Sequence, residues 1–254
     1  MIDTRKCAAR CLVVSQPMYF SWIGMLQQIR LCDSFIYYDD VQFARGFFNR
    51  VQIKTANGVS WLTVPLKDWR RGQLINEVKI DHSQNWQRSH RDQLKQAYKN
   101  SPFCSDMLGL VDQVYSGNYT TISDISCAST DALIEYFMPI GDGKVFLKSS
   151  SLNVSGASSE RLVNICGMMK AKSYLTGHGA SNYLDHTAFE KNGISVDYID
   201  YQLDEYPQLH GPFTPYVSGL DLIANCGKEG LGYIRGTPVP WREFIERRNA
   251  EKSV

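Results

Sequence analysis

Two aspartates and a run of basic and amide side chains crowd into one stretch, YYDDVQFARGFFNRVQIK (37–54). A carboxylate beside cationic groups can take a proton from an attacking group near an anionic substrate, which makes Asp40 a candidate general base. Arg50 can grip a carboxylate or phosphate through two parallel hydrogen bonds. Gln42, Asn49 and Lys54 add further donors in the same stretch. Adjacent aspartates also suit Mg²⁺ held together with substrate phosphates. Neighbours on a strand point to opposite faces, however, so only one of Asp39 and Asp40 looks inward, and no metal is required. Capping and surface ion pairs are the other use such residues find.

Three more stretches carry chemistry. TGHGASNYLD (176–185) sets His178 between Gly177 and Gly179. Glycines let a backbone approach a ligand closely, and an imidazole there is the best placed of the five histidines for proton transfer. A single Gly-x-Gly without its third glycine is no dinucleotide fingerprint. In QPMYFSWIG (16–24) Pro17 fixes a turn, Gln16 and Tyr19 offer hydrogen-bonding groups, and the N–H groups of a following helix can face an anion. Trp22-Ile23-Gly24-Met25 there also resembles the signature turn of HUP-class nucleotidylyltransferases, although this loop lacks the histidines with which those steady a triphosphate. SSSLNVSGASSERL (149–162) is a Ser-rich loop suited to phosphates or hydroxyls. No Gly-x-Ser-x-Gly elbow occurs and no cysteine falls in these loops, so neither a serine nor a cysteine nucleophile is supported.

The elements that must position these residues follow from periodicity. Short apolar or aromatic runs at 11–15, 34–38, 145–149, 173–177 and 194–201 are predicted strands. Amphipathic stretches at 22–31, 158–170, 182–191 and 218–227 are predicted helices, with Ser158 as an N-cap and Gly227 as a stop. Interleaved in this way they predict an α/β fold with a mainly parallel, Rossmann-like sheet, HUP-like at its opening. The chain reads as one domain, 1–254. A hairpin insertion spans 49–80, with the Asn57-Gly58 turn and a third strand at 74–80, and a helical insertion spans 86–140. The charged tail 241–252 is expected to fray. Ligands of such sheets bind beyond the carboxyl ends of the strands, so Asp40, Asn49 and Arg50 are expected to line one pocket with Gln16 and Tyr19.

Composition narrows the function classes. In 254 residues, 27 Lys and Arg stand against 26 Asp and Glu, too even a balance for a broad nucleic-acid surface or a polybasic membrane tether. Seven scattered cysteines without a Cys-x-x-Cys pair read as reduced thiols rather than a zinc site. Arg5, Lys6 and Arg10 precede an apolar stretch of only Cys11 to Val14, shorter than a signal peptide's core, and no run approaches a membrane span. A cytoplasmic protein without an integral membrane segment is the expectation.

The segments QPMYFSWIG, DSFIYYDDVQFARGFFNRVQIKTANGVSWLTVPL, SSERLVNICGMMKAKSYLTGHGASNYLD and PYVSGLDLIANCG, in that order, resemble the WbqC-like proteins across nearly the whole chain. Positions matching the family pattern include Gln16, Tyr19, Trp22, Gly24, Asp40, Gln42, Asn49 and Arg50, then Trp61, Pro65, Arg161, Gly177, Gly179, Tyr183, Asp185 and Asp221. Ser21 stands where the family carries proline, and His178 at a position the family leaves variable. The resemblance implies a role in bacterial O-antigen or other surface-polysaccharide biosynthesis, with transfer of glycine or another acyl or aminoacyl group onto an amino sugar. On that reading the substrate is an amino sugar nucleotide and the donor an activated acyl group, such as a thioester on an acyl carrier protein. Asp40 would be the base or orient the amine, with His178 as its rival, and Gln16, Tyr19, Gln42, Asn49, Arg50, Gly177, Gly179 and Tyr183 would bind substrate. The alternatives are an ATP-using ligase or nucleotidyl transferase on a HUP-like sheet, and a non-catalytic sugar-nucleotide-binding scaffold.

Overall fold

A computed structural model describes residues 10–138 and 144–252. Its centre is a six-stranded sheet of β1 (Cys11–Ser15), β2 (Ser34–Tyr37), β7 (Val145–Lys148), β8 (Ser173–Thr176), β9 (Ser195–Tyr201) and β10 (Gly236–Pro240), ordered β10-β9-β8-β1-β2-β7. All neighbours run parallel except the edge strand β10, which pairs antiparallel with β9. All five strands expected from the sequence therefore lie in one sheet; β10, a run of Gly, Pro and Thr around one valine, carries no strand signal of its own.

The side-chain period of two splits the sheet's contacts between two cores. Leu12, Val14 and Ile36 pack with Leu162, Ile165 and Phe189, which belong to α5 (Ser158–Met168) and α6 (His186–Lys191). Val13, Phe35 and Tyr37 pack on the other face, against α1 (Ile23–Leu31) and a larger core. Each such side chain taken fully out of water contributes about 1.5–3 kcal/mol. Lys144 caps α1, donating from Nζ to the carbonyls of Ile29 (2.7 Å) and Arg30 (3.2 Å), where a cation meets the negative end of the helix.

From β1 the chain steps outward through β2 to β7, then returns by α5 to β8 on the other side of β1. Strand order thus reverses between β1 and β8, and the crevice beyond their carboxyl ends is where such a sheet receives a ligand.

Between β2 and β7 the chain builds a hairpin, β3 (Arg50–Thr55) with β4 (Gly58–Thr63), and a block of α2 (Trp86–Tyr98), α3 (Cys104–Tyr115) and α4 (Ile122–Phe137). Gly58 opens β4 at φ 96°, a turn conformation that strains any residue with a Cβ. The expected third hairpin strand at 74–80 does not form. Glu77 reaches back to the Leu74 amide (2.9 Å) and closes a 3₁₀ turn over Ile75–Glu77, leaving only β6 (Lys79–Ile80) to pair with β5 (Leu66–Lys67). Ser158 is not an N-cap but the first residue of α5, at φ 49°, and Ala157 holds the capping position with no side-chain acceptor.

The tail does not peel away. It forms α8 (Trp241–Lys252), with Phe244 stacked on Tyr198 at 4.2 Å and Trp241 stacked on His186 at 4.3 Å. These two aromatics dock it beside β9, and the charges that suggested fraying help: Arg242 pairs with Glu190, Arg247 with Asp200, and Arg248 donates to the His178 carbonyl and Asn182. Six cysteines, from Cys11 to Cys226, are free thiols; Cys7, like Arg5 and Lys6, lies outside the described residues. No helix among the described residues is long and apolar enough to cross a membrane.

Candidate functional site

A cavity of about 820 Å³ opens at the strand-order reversal. Its floor is the end of β1 (Val14, Ser15, Gln16) and the end of β8 running into Thr176 and Gly177, and Asp200 and Tyr201 at the end of β9 close one side. That size lies within the range of sites that enclose a small organic ligand.

Aromatic rings make the far wall. Trp22 sits just before α1, its ring 5.1 Å from that of Tyr201 and 5.7 Å from that of Tyr216. Two glycines are required by this packing. A Cβ on Gly24 would come within 2.3 Å of the Trp22 ring, and one on Gly177 within 2.8 Å of the Tyr201 hydroxyl. Gln28, 6% exposed, donates to that hydroxyl at 2.9 Å and holds the ring in place. Tyr183 and Tyr216 are exposed aromatics at the mouth, 61% and 53% open to solvent.

His178 also lines the cavity. Its Nε2 lies 2.7 Å from the Ile199 carbonyl oxygen. A carbonyl can only accept, so Nε2–H is the donor in this bond and Nδ1 takes no part in it. Tyr201 and Phe244 flank the imidazole at 4.9 and 4.8 Å and fix its plane. Ser158 at the start of α5 also borders the cavity, so the positive end of that helix faces it.

The 37–54 stretch is built differently. Asp40 does not pair with Arg50; it accepts from Arg161 and from Ser149, and the Arg161 guanidinium also lies 5.2 Å over the Tyr38 ring. Partial burial pushes the Asp40 carboxyl up, yet the hydrogen bonds from Arg161 and Ser149 outweigh it and hold the pKa below the usual carboxylate value. Asp39 is buried under donors from Ser149, Ser150 and Ser123. Asn49 is 5% exposed and donates to the Val64 carbonyl at 3.2 Å, while Arg50 lies 4.2 Å over the Trp61 ring. Gln42 bridges to Leu74 at the foot of the hairpin. Tyr19 is fully buried, its hydroxyl between His90 (3.1 Å) and Tyr115.

The structure therefore brings Gln16, Gly177, His178, Gly179 and Tyr183 into one cavity. It does not bring Asp40, Asn49, Arg50 and Tyr19 into that wall, against the expectation of a five-residue pocket. Chain proximity misled here. The chain returns to the cavity at Phe48, but the Asn49 side chain turns to the Val64 carbonyl and that of Arg50 to the Trp61 ring.

A sequence profile described as the WbqC-like protein family matches residues 16–233, most of the chain and every cavity residue named above except Val14 and Ser15. The chain belongs to the WbqC-like protein family. The matched span starts at Gln16, on the cavity floor, and stops before β10 and α8. The chain is also similar to the uncharacterized protein Rv1507c of Mycobacterium tuberculosis, with 32% identity over 228 residues that cover 88% of this chain and 97% of that protein. No solved structure matches the chain. Of the WbqC-like pattern, Trp22, Gly24 and Gly177 now have a physical reason in the cavity wall, and Arg161 has one as the partner of Asp40. Gln28, Tyr201 and Tyr216 were missed as site residues. Tyr201 carried one usable signal, its place at the carboxyl end of a parallel strand, whereas Gln28 and Tyr216 reach the cavity only through the turn of α1 and the loop before α7 (Gly219–Cys226).

Proposed function

We propose that this WbqC-like protein binds an amino sugar nucleotide in the cavity between β1 and β8 and moves an acyl or aminoacyl group onto its amino nitrogen, as a step in surface-polysaccharide biosynthesis of the O-antigen type. The observation that supports this reading is that His178 lines an aromatic-walled cavity at a sheet's ligand crevice with its Nε2–H given to the Ile199 carbonyl; we assign its Nδ1 as the base. On this reading the sheet is Rossmann-like, and the hairpin and helical block are insertions between its second and third strands. Trp22, Tyr201 and Tyr216 offer faces to the base and sugar rings, and the N-terminal end of α5 at Ser158 faces the diphosphate.

In the reaction the neutral amine attacks the acyl carbonyl, and a C–N bond forms as the bond to the donor's leaving group breaks. For a carrier thioester the leaving group is a thiolate. His178 Nδ1 takes the proton from the nitrogen and returns it to the departing sulfur, so the imidazole ends neutral. Gln16 and Tyr183 are within the cavity wall to donate to the carbonyl oxygen as it becomes an oxyanion. Asp40 is the rival base, but a carboxylate held ionised by Arg161 is a weaker proton acceptor at neutral pH.

The test is a product assay with purified protein, amino sugar nucleotides and acyl or aminoacyl thioesters, with and without ATP, read by mass spectrometry. ATP-independent amide product supports the reading. Product only with ATP and pyrophosphate release favours a ligase, and saturable binding without product favours a scaffold; either result overturns it.

A further inference from the structure

A second cleft, of about 400 Å³, lies between strand β4 and the N-terminal half of α2, and it shares no lining residue with the cavity at β1 and β8. Its size is at the lower end for small-ligand sites. Two indoles border it, Trp61 from the hairpin and Trp86 from the first turn of α2, with Pro65 beside them. The Arg50 guanidinium covers one face of Trp61 at 4.2 Å and Phe47 lies tilted beside the same ring at 5.6 Å, and the half-buried indole lines the cleft. Trp86 is 6% exposed and forms the buried back of the cleft, clamped by His90 (5.2 Å) and Tyr115 (5.5 Å), and its buried indole N–H has no acceptor among the described residues.

What faces these rings is polar and uncharged. None of the nine lining residues is Asp, Glu, Lys or Arg. Three carry side-chain amides, Gln84, Asn85 and Gln93; Asn85 Oδ1 accepts from the Arg88 amide as the cap of α2 and Gln93 Nε2 donates to Ser89, which leaves Asn85 Nδ2 to donate and Gln93 Oε1 to accept. The one titratable group, His90, is neutral, because burial pushes its pKa down to about 4. A phosphate or carboxylate ligand would meet no counter-charge among the lining residues, and the neighbouring Arg50 guanidinium is laid against the Trp61 ring. A saccharide meets what it needs: the apolar C–H face of a pyranose lies against the electron-rich face of an aromatic ring, and its hydroxyls exchange hydrogen bonds with amides.

We infer that the Trp61–Trp86 cleft is a carbohydrate-binding site for a neutral, hydroxyl-rich saccharide, separate from the cavity that holds His178. The inference does not rest on the transfer reaction, since it concerns other residues and is read by binding rather than product.

The experiment follows the indole N–H signals of the full-length ¹⁵N-labelled protein, whose five tryptophans are assigned by single Trp→Phe substitutions. The probes are maltotriose and tri-N-acetylchitotriose, with AMP as the test for a nucleobase. One of the two trisaccharides should shift the Trp61 and Trp86 signals saturably and leave Trp22 in place, and AMP should not. Trp61→Ala should weaken that binding about tenfold, and Trp61→Phe should restore most of it. Gln93→Ala, at an exposed helix position that leaves folding intact, should weaken it about three- to tenfold. No saturable shift with either saccharide, a shift confined to Trp22, an equal or larger response to AMP, or unchanged affinity in Gln93→Ala overturns the inference.

Discussion

The cavity around His178 and the buried polar knot around Asp221 use the same side-chain types to opposite ends. Asp221 is fully buried and accepts from Tyr98 (2.9 Å), Tyr206 (2.8 Å), Gln208 (2.9 Å) and Asn225 (3.2 Å). Gln208 in turn accepts from Lys54 Nζ at 3.0 Å and from the Thr214 amide at 2.9 Å, while Lys54 also donates to the Gly211 and Pro212 carbonyls. Every group is spoken for. The knot ties β3, α2, α7 and the loop before α7 together, and nothing in it is left to meet a ligand. In the cavity, by contrast, His178 uses one ring nitrogen for structure, and Tyr183 and Tyr216 stand open to solvent. A polar residue in this family pattern, Asp221 as much as Gln16, is therefore assigned by whether its hydrogen bonds are already made.

Breaking the knot should cost the most. Asp221→Ala strips the acceptor from four buried donors and leaves Lys54 without its countercharge, so a loss of about 3–5 kcal/mol in chemical denaturation is expected. Asp221→Asn keeps part of the acceptor and should cost clearly less. A stability within about 0.5 kcal/mol of wild type in the alanine variant would show that the knot is not structural.

A second effect reports on the buried block through pH. Burial lowers the His90 pKa to about 4, from 6.5 when exposed. Between those values the unfolded chain binds a proton that the folded chain refuses, so stability is present above pH 6.5 and falls as pH drops toward 4, by about 3 kcal/mol in all. His90→Gln should flatten that part of the stability–pH curve. An unchanged slope would place the titration elsewhere.

The smallest of the three expected effects lies in the cavity. Gly177→Ala drives a methyl group toward the Tyr201 hydroxyl, at 2.8 Å before any shift, and so pushes ring and Gln28 into the ligand space. Overpacking of this kind costs about 1–3 kcal/mol, and the amino sugar nucleotide should bind about tenfold more weakly while the Asp221 knot is untouched. Affinity equal to wild type with a normal melting temperature would move the ligand away from β8.

Much of this arrangement was legible in the sequence because its signals are local. Apolar runs, an Asn-Gly turn and helical stripes locate the five parallel strands and the hairpin. The rule that ligands sit at strand ends then selects the loops bearing Gln16 and His178. What was not legible depends on contacts distant in sequence. Asp40 and Arg161 are 121 residues apart, and nothing in the 37–54 stretch shows that an arginine on α5, rather than Arg50, answers that carboxylate. Tyr19 looked like a cavity residue at the mouth of a turn, but its ring turns into the helical block to meet His90, 71 residues away. The 241–252 tail was misread for a related reason: its charge pattern is local, and the docking of Phe244 on Tyr198 is not.

The central claim is that chemistry occurs at His178 in the cavity and not at Asp40. Single-turnover amide formation, with amino sugar nucleotide and acyl donor both saturating, tests it in His178→Asn and Asp40→Asn side by side. His178→Asn should slow the step by about 10²–10⁴-fold with little change in substrate affinity or melting temperature, and Asp40→Asn should leave it within about tenfold. The reverse ranking, with His178→Asn near wild type and Asp40→Asn inactive but folded, would contradict the account and return the base to the carboxylate.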